Sequence, residues 1–187
     1  AKKSDRILEY LQEHAALALG SVGTSDDLPL LFDLLATQSG SQGRSHTWVA
    51  IGDLANLESL PKAQELLRAE KDLKVRTAAA RTMFLLGDPD TAYLTLENAL
   101  YKPGMTTEQL LYATQVLGSL MDLRTKDMLV RLLNHSNIEV RRLAVANLVK
   151  FCNVHQDVRD MLLDMAGDSE LDAVMRQQAA LAFVHWE

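Results

Sequence analysis

A chain of 187 residues with 48% hydrophobic and 24% charged side chains can bury a core and has the composition of one ordinary globular domain. Its net charge of −6 disfavours nucleic acid, which needs a basic footprint, and its single cysteine, Cys152, excludes an internal disulfide. No apolar run approaches the roughly 18 residues that a membrane-spanning helix needs.

Aromatic residues make up only 5% of the chain, so Leu, Ala, Val and Met must build the core, a mixture suited to helix packing. The opening Ala1-Lys2-Lys3-Ser4-Asp5 leads into no apolar signal-peptide core and reads as a cut end. From there five stretches share one shape: an apolar helix, a tight polar turn, a second apolar helix and a looser connection. They begin near Ala16, Trp48, Ala78, Tyr112 and Leu143, and their inner turns fall near Gly23, Leu57, Gly87, Met121 and Asn153, at steps of 34, 30, 34 and 32 residues. In the first, Thr24-Ser25-Asp26-Asp27 supplies cap and first-turn chemistry for a second helix. The Gly- and Ser-rich run 39–44 is the most flexible connection. Pro61 suits the first turn of the next second helix, and Asp88-Pro89-Asp90 does the same one repeat later. Lys102-Pro103-Gly104 is a turn, after which Thr106 or Thr107 can cap a helix. Leu110, Ala113, Leu117 and Leu120 then form an amphipathic stripe, as do Val140, Ala144, Leu148 and Phe151. A last first-type helix over 174–186 has no second helix after it. Its Ala179, Ala180, Phe183 and Val184 need cover, so the chain is expected to continue, or to pack on a partner or a second copy.

The predicted fold class is all-α, a right-handed α-α superhelix (solenoid) of about five and a half stacked helical hairpins. The repeats are bounded near 4–38, 44–71, 72–102, 105–135 and 136–168, with a half repeat at 170–187, all in one domain. Three first helices open alike: Val75-Arg76 before Thr77-Ala78-Ala79-Ala80, Val140-Arg141 before Arg142-Leu143-Ala144, and Val174-Met175-Arg176 before Gln177-Gln178-Ala179, with one residue inserted. This resembles the Val-Arg-x-x-Ala start of short bacterial HEAT-like (armadillo-type) repeats. The resemblance covers almost the whole chain; repeats one, two and four lack the Arg at that place. It implies that an Asp of the inter-helix turn bonds an Arg of a neighbouring repeat, with Asp26, Asp88, Asp90 and Asp122 as the Asp candidates and Arg76 and Arg141 as the Arg candidates. Tetratricopeptide repeats share the period, but their Trp-x-x-Leu-Gly-x-x-Tyr opening is absent.

No catalytic, cofactor or metal constellation emerges. The histidines lack His-Glu-x-x-His spacing, and there is no Gly-x-Gly-x-x-Gly or phosphate loop. Cys152 and His155 lie three apart in one turn, which is weak ground for a nucleophile pair; Cys152 reads as a small buried hydrophobe. His46 and Trp48 read as a helix start and a core residue, with a binding edge as the alternative. The carboxylate pairs Asp26/Asp27, Glu9/Glu13 and Asp160/Asp164 read as caps and solvated faces.

The resemblance places the second helices on the concave, partner-binding face. The candidate partner-binding residues are therefore Asp27, Asp33, Glu65, Arg68, Thr95, Asn98, Lys126, Arg131, Asp157, Asp160 and Asp164. The row is acidic at its ends and mixed in its middle, which suits a basic or mixed-charge protein or peptide. End-to-end self-association through the C-terminal helix is a further expectation. The functional expectation is a non-enzymatic protein-interaction scaffold within a larger protein. The alternatives are an accessory domain of an enzyme, or a tetrapyrrole-handling lyase or chaperone, which HEAT-like repeats also resemble.

Overall fold

The computed structural model describes residues 3–184, with side chains from Ile7 onward apart from Glu9. Expectations that fall on Glu9, His185, Trp186 and Glu187 lie outside the described residues. Eleven α-helices and no strand occur among them. The helices are α1 (Lys3–Val22), α2 (Leu28–Thr37), α3 (Ser41–Asp53), α4 (Leu60–Ala69), α5 (Leu73–Leu85), α6 (Pro89–Tyr101), α7 (Thr107–Leu117), α8 (Leu123–Leu132), α9 (Ile138–Leu148), α10 (Gln156–Gly167) and α11 (Ala173–Leu181).

Their starts follow from local chemistry. Side chains of Asp72, Asp88, Asp122, Asn137 and Asp172 accept from backbone N–H groups of the first turns of α5, α6, α8, α9 and α11, satisfying donors a helix start leaves open. Thr106 caps α7, with Gln109 reaching back to the Thr106 N–H at 3.0 Å. Pro61 and Pro89 occupy first turns, where a missing N–H costs nothing. Before α2 the expected cap is instead a single 3-10 turn over Ser25–Asp27, and Asp27 accepts from the Thr24 N–H at 2.9 Å. Gly87 and Gly104 take positive φ in the turns they mark; Met121 does so at φ 54 without being glycine.

The described residues divide into two compact units, with the boundary between Lys102 and Pro103. In the first, α1, α3 and α5 pack one on the next, α2 lies on α3, and α4 and α6 lie on α5. In the second, α7, α9 and α11 form the same succession, α8 packs on α7 and α9, and α10 packs on α11. Odd and even helices both contribute to each core. Trp48 and Ile51 of α3, Ala78 through Ala80 and Met83 of α5, Leu117 of α7 and Leu148 of α9 are essentially solvent-free.

Small residues let these helices approach. A Cβ on Gly20 would come within 2.8 Å of the Ala50 Cα, one on Gly52 within 2.9 Å of the Thr82 Oγ1, and one on Gly118 would overlap the Asn147 carboxamide. The glycines sit near the C-terminal ends of α1, α3 and α7, each facing the next odd helix. The contacts they admit are polar where it matters. The buried Thr82 hydroxyl donates to the Trp48 carbonyl at 2.6 Å. Asn147 Nδ2 donates to the Leu143 carbonyl at 3.0 Å, while Lys150 Nζ donates to Asn147 Oδ1 at 2.7 Å and to the Gly118 carbonyl at 3.1 Å.

The arginine forks correct one expectation. Arg76 Nη1 donates to the Leu67 and Glu70 carbonyls, and Arg141 Nη1 to those of His135 and Ser136. Neither bonds a turn aspartate: each guanidinium is taken up by backbone carbonyls of the last turn or connection that precedes its own helix. Repeat two, in which the sequence shows no such Arg, uses Arg44 for the same task, donating to the Gln38 and Ser39 carbonyls and pairing with Glu70 at 2.8 Å. The aspartates serve nearer partners. Asp88 accepts from the Thr91 N–H and from Gln64 Nε2, Asp122 caps α8, and Asp26 and Asp90 are exposed in first turns. The cover expected for α11 is already partly present: Ala179 is fully buried and Phe183 half-buried, while Ala180 and Val184 face out.

Candidate functional site

On an even helix, positions away from the odd row look outward, so neighbouring even helices can frame a groove between them. This happens in the first unit at α4 and α6. Gln64, Leu67 and Arg68, one turn apart on α4, face Thr91, Leu94, Thr95 and Asn98, one turn apart on α6, and Arg76 of α5 closes one wall. The cleft encloses about 140 Å³.

Three of the predicted partner-binding residues meet there. Arg68 and Asn98 are exposed at its mouth. Thr95 corrects the expectation of a solvated position. It is only 4% exposed, because it sits on the side of α6 turned toward the core, and only a sliver of it opens into the cleft. Arg68 makes no hydrogen bond or ion pair to another described residue, and Arg76 donates to the Leu67 and Glu70 carbonyls through Nη1. The acids around them are engaged elsewhere. Glu65 pairs with Lys62 at 3.1 Å, and Glu70 takes Arg44 and the Lys71 and Asp72 N–H groups. Gln64 Nε2 donates to Asp88 Oδ2 at 2.6 Å. Burial works against ionisation of Asp88, but the bonds from Thr91 and Gln64 outweigh it and hold its carboxyl below the usual range.

The remaining candidates do not converge on this cleft. In the second unit Lys126 and Asp157 bond each other at 2.7 Å, across α8 and α10. The hydrogen bond raises the Lys126 ammonium and lowers the Asp157 carboxyl. Asp160 accepts from Gln156, and Asp164 is exposed on the same helix. Arg131 is exposed in the last turn of α8. Asp33 is exposed on α2, and the Asp27 side chain is used in the 3-10 turn before that helix. Sequence reasoning missed Gln64, Thr91, Leu94 and the part played by Arg76. The spacing of Gln64 and Arg68, and of Thr91, Thr95 and Asn98, was the available signal.

The other chemistry weighed from sequence has plain geometry. Trp48 is buried, and His46 lies between Glu13 at 2.8 Å and Gln42 at 2.7 Å. Cys152 is buried, with its Sγ near Asn153 Oδ1 and the Ala182 carbonyl, while the His155 ring lies against Phe151. Among the described residues no group of three His, Cys, Asp or Glu could hold a metal ion. No helix there is long and apolar enough to cross a membrane. No family model, curated protein or solved structure matches this chain.

Proposed function

We propose that the chain is a HEAT-like repeat protein that binds a protein partner without catalysing a reaction, and that the even-numbered helices supply the binding face. The observation that carries this reading is the convergence of Arg68, Thr95 and Asn98, from two successive second helices, on one cleft. The Val-Arg starts of α5 and α9, and the way each odd helix packs on the next within a unit, support reading the hairpins as turns of a right-handed α-α superhelix. The even helices are well buried on their inner sides but still present outward residues such as Arg68 and Asn98. At about 140 Å³ the α4/α6 cleft is far below the several hundred Å³ of pockets that enclose large cofactors, so it lends nothing to the tetrapyrrole reading.

Site-specific photocrosslinking tests the proposal. A crosslinking side chain is placed at Asn98, on the proposed face, and in a second variant at Gln115, exposed on the first-type helix α7. One discrete partner adduct from the Asn98 position, reproduced with the purified partner and absent from Gln115, is expected. Equal adducts from both positions, or none from Asn98, would overturn the assignment of the face.

A further inference from the structure

We infer that the α4/α6 cleft receives the carboxylate of an acidic side chain from an extended segment of the partner. The inference rests on the reading of the even helices as the binding face and names what that face recognises.

Charge is the first argument. The chain carries −6 overall, yet the cleft holds two guanidinium groups, and neither has a carboxylate partner among the described residues. Their neighbours explain why. Glu65 and Glu70 pair with Lys62 and Arg44, and Asp88 accepts from Gln64 and the Thr91 N–H, so none of these three acids bonds Arg68 or Arg76. Guanidinium groups with unused N–H donors bind planar oxyanions by paired hydrogen bonds. Arg76 is also preorganised. Its Nη1 is anchored on two carbonyls at 3.0 and 3.1 Å, which lowers the ordering cost of using its other donors.

The lining supplies the rest. Thr95 and Asn98 add neutral polar atoms, one buried at the wall and one at the mouth. Leu67 is buried, and Leu94 is 60% exposed beside these polar groups, an apolar edge suited to the methylenes of a glutamate or to an aliphatic neighbour. The volume of about 140 Å³ accommodates a carboxylate with its methylenes and a few waters.

The test uses the full chain, 15N-labelled, and three capped peptides: Ac-Ala-Leu-Glu-Leu-Ala-NH2, its Gln counterpart and its phosphoserine counterpart. Titration with the Glu peptide is expected to shift the Nε–H signals of Arg68 and Arg76, the Asn98 side-chain amide and the backbone amides of α4 and α6. Binding should be about fivefold or more tighter than for the Gln peptide and should weaken as NaCl rises from about 50 to 300 mM. Arg68→Gln should reduce affinity by a similar factor without changing the melting temperature, since Arg68 is exposed and unbonded. Equal affinity for the Glu and Gln peptides, shifts confined to other helices, or no shift at millimolar peptide would overturn the inference. So would a phosphoserine peptide that binds about tenfold tighter, which would assign the cleft to phosphate instead. The two readings fail separately. A partner adduct at Asn98 alongside a silent Glu titration leaves the binding face standing and removes the carboxylate. Loss of the adduct removes the face itself.

Discussion

Replacing Gly118 by alanine sets two opposing effects against each other in a way the structure decides. Gly118 has φ −65, a conformation open to every residue, so its backbone does not require glycine. Alanine there would raise stability by about 0.5–1 kcal/mol through helix propensity and a less flexible unfolded chain. Against that, the new Cβ would overlap the carboxamide of Asn147, which is 4% exposed and cannot swing into solvent. The carboxamide must leave its site or the α7/α9 contact must open. Overpacking of this kind costs about 1–3 kcal/mol. Displacing the carboxamide also breaks its bonds to the Leu143 carbonyl and Lys150 Nζ, leaving buried polar atoms unpaired at about 1–3 kcal/mol more. The net expectation for Gly118→Ala is a loss of about 1–5 kcal/mol, or about 2–20 °C in Tm for a chain of this size. Urea denaturation followed by circular dichroism measures it directly. Adding Asn147→Ala removes the overlapping group, so the double variant should be more stable than Gly118→Ala alone, with a coupling of about 1–3 kcal/mol. A Gly118→Ala protein as stable as the parent, or additive effects in the double variant, would show that the glycine is not there for this contact.

Other expectations follow from the same bonds. Thr82→Val keeps the shape of the side chain but deletes the buried hydroxyl bond to Trp48; it should cost about 1 kcal/mol in the same denaturation assay, and an unchanged midpoint would remove that bond from the account of α3/α5 packing. Asp172 is held at about 2 by its bidentate bond to Arg142, at 2.9 and 2.8 Å, and by the N–H groups of Met175 and Val174. Because the folded value lies below the unfolded one, its stabilisation is complete above about pH 4 and is lost as pH falls through about 2. A carboxyl NMR titration should find that low midpoint in the parent and a higher one in Arg142→Gln; a parent midpoint near 4 would refute the pairing.

Much of the helical order was legible because each helix repeats an apolar stripe and each turn carries its own breaker. The structural turns fall at Gly23, Leu57, Gly87, Met121 and Asn153, where the pattern placed them. What stayed hidden depends on residues about thirty apart, for which no local period gives a sign. Arg44 performs the fork role without a valine before it, because reach to open carbonyls matters and the dipeptide does not. Thr95 was misread because α6 packs closely on α5 and buries more than one stripe of its surface. The cleft itself was visible only as scattered polar positions, since the distance between α4 and α6 is set by α5, on which both rest.

The glycine contacts along the odd helices carry one more consequence. Gly20 meets Ala50, Gly52 meets Thr82 and Gly118 meets Asn147, so the facing side chain differs at every junction. Such junctions behave as keyed couplings: the glycine of each helix is matched to the residue it faces on the next. Exchanging or duplicating a hairpin would set a glycine against a residue of the wrong size, leaving a void or a collision. Each of these glycine contacts is therefore matched to its own helix pair, and none of the helices involved is a freely interchangeable part.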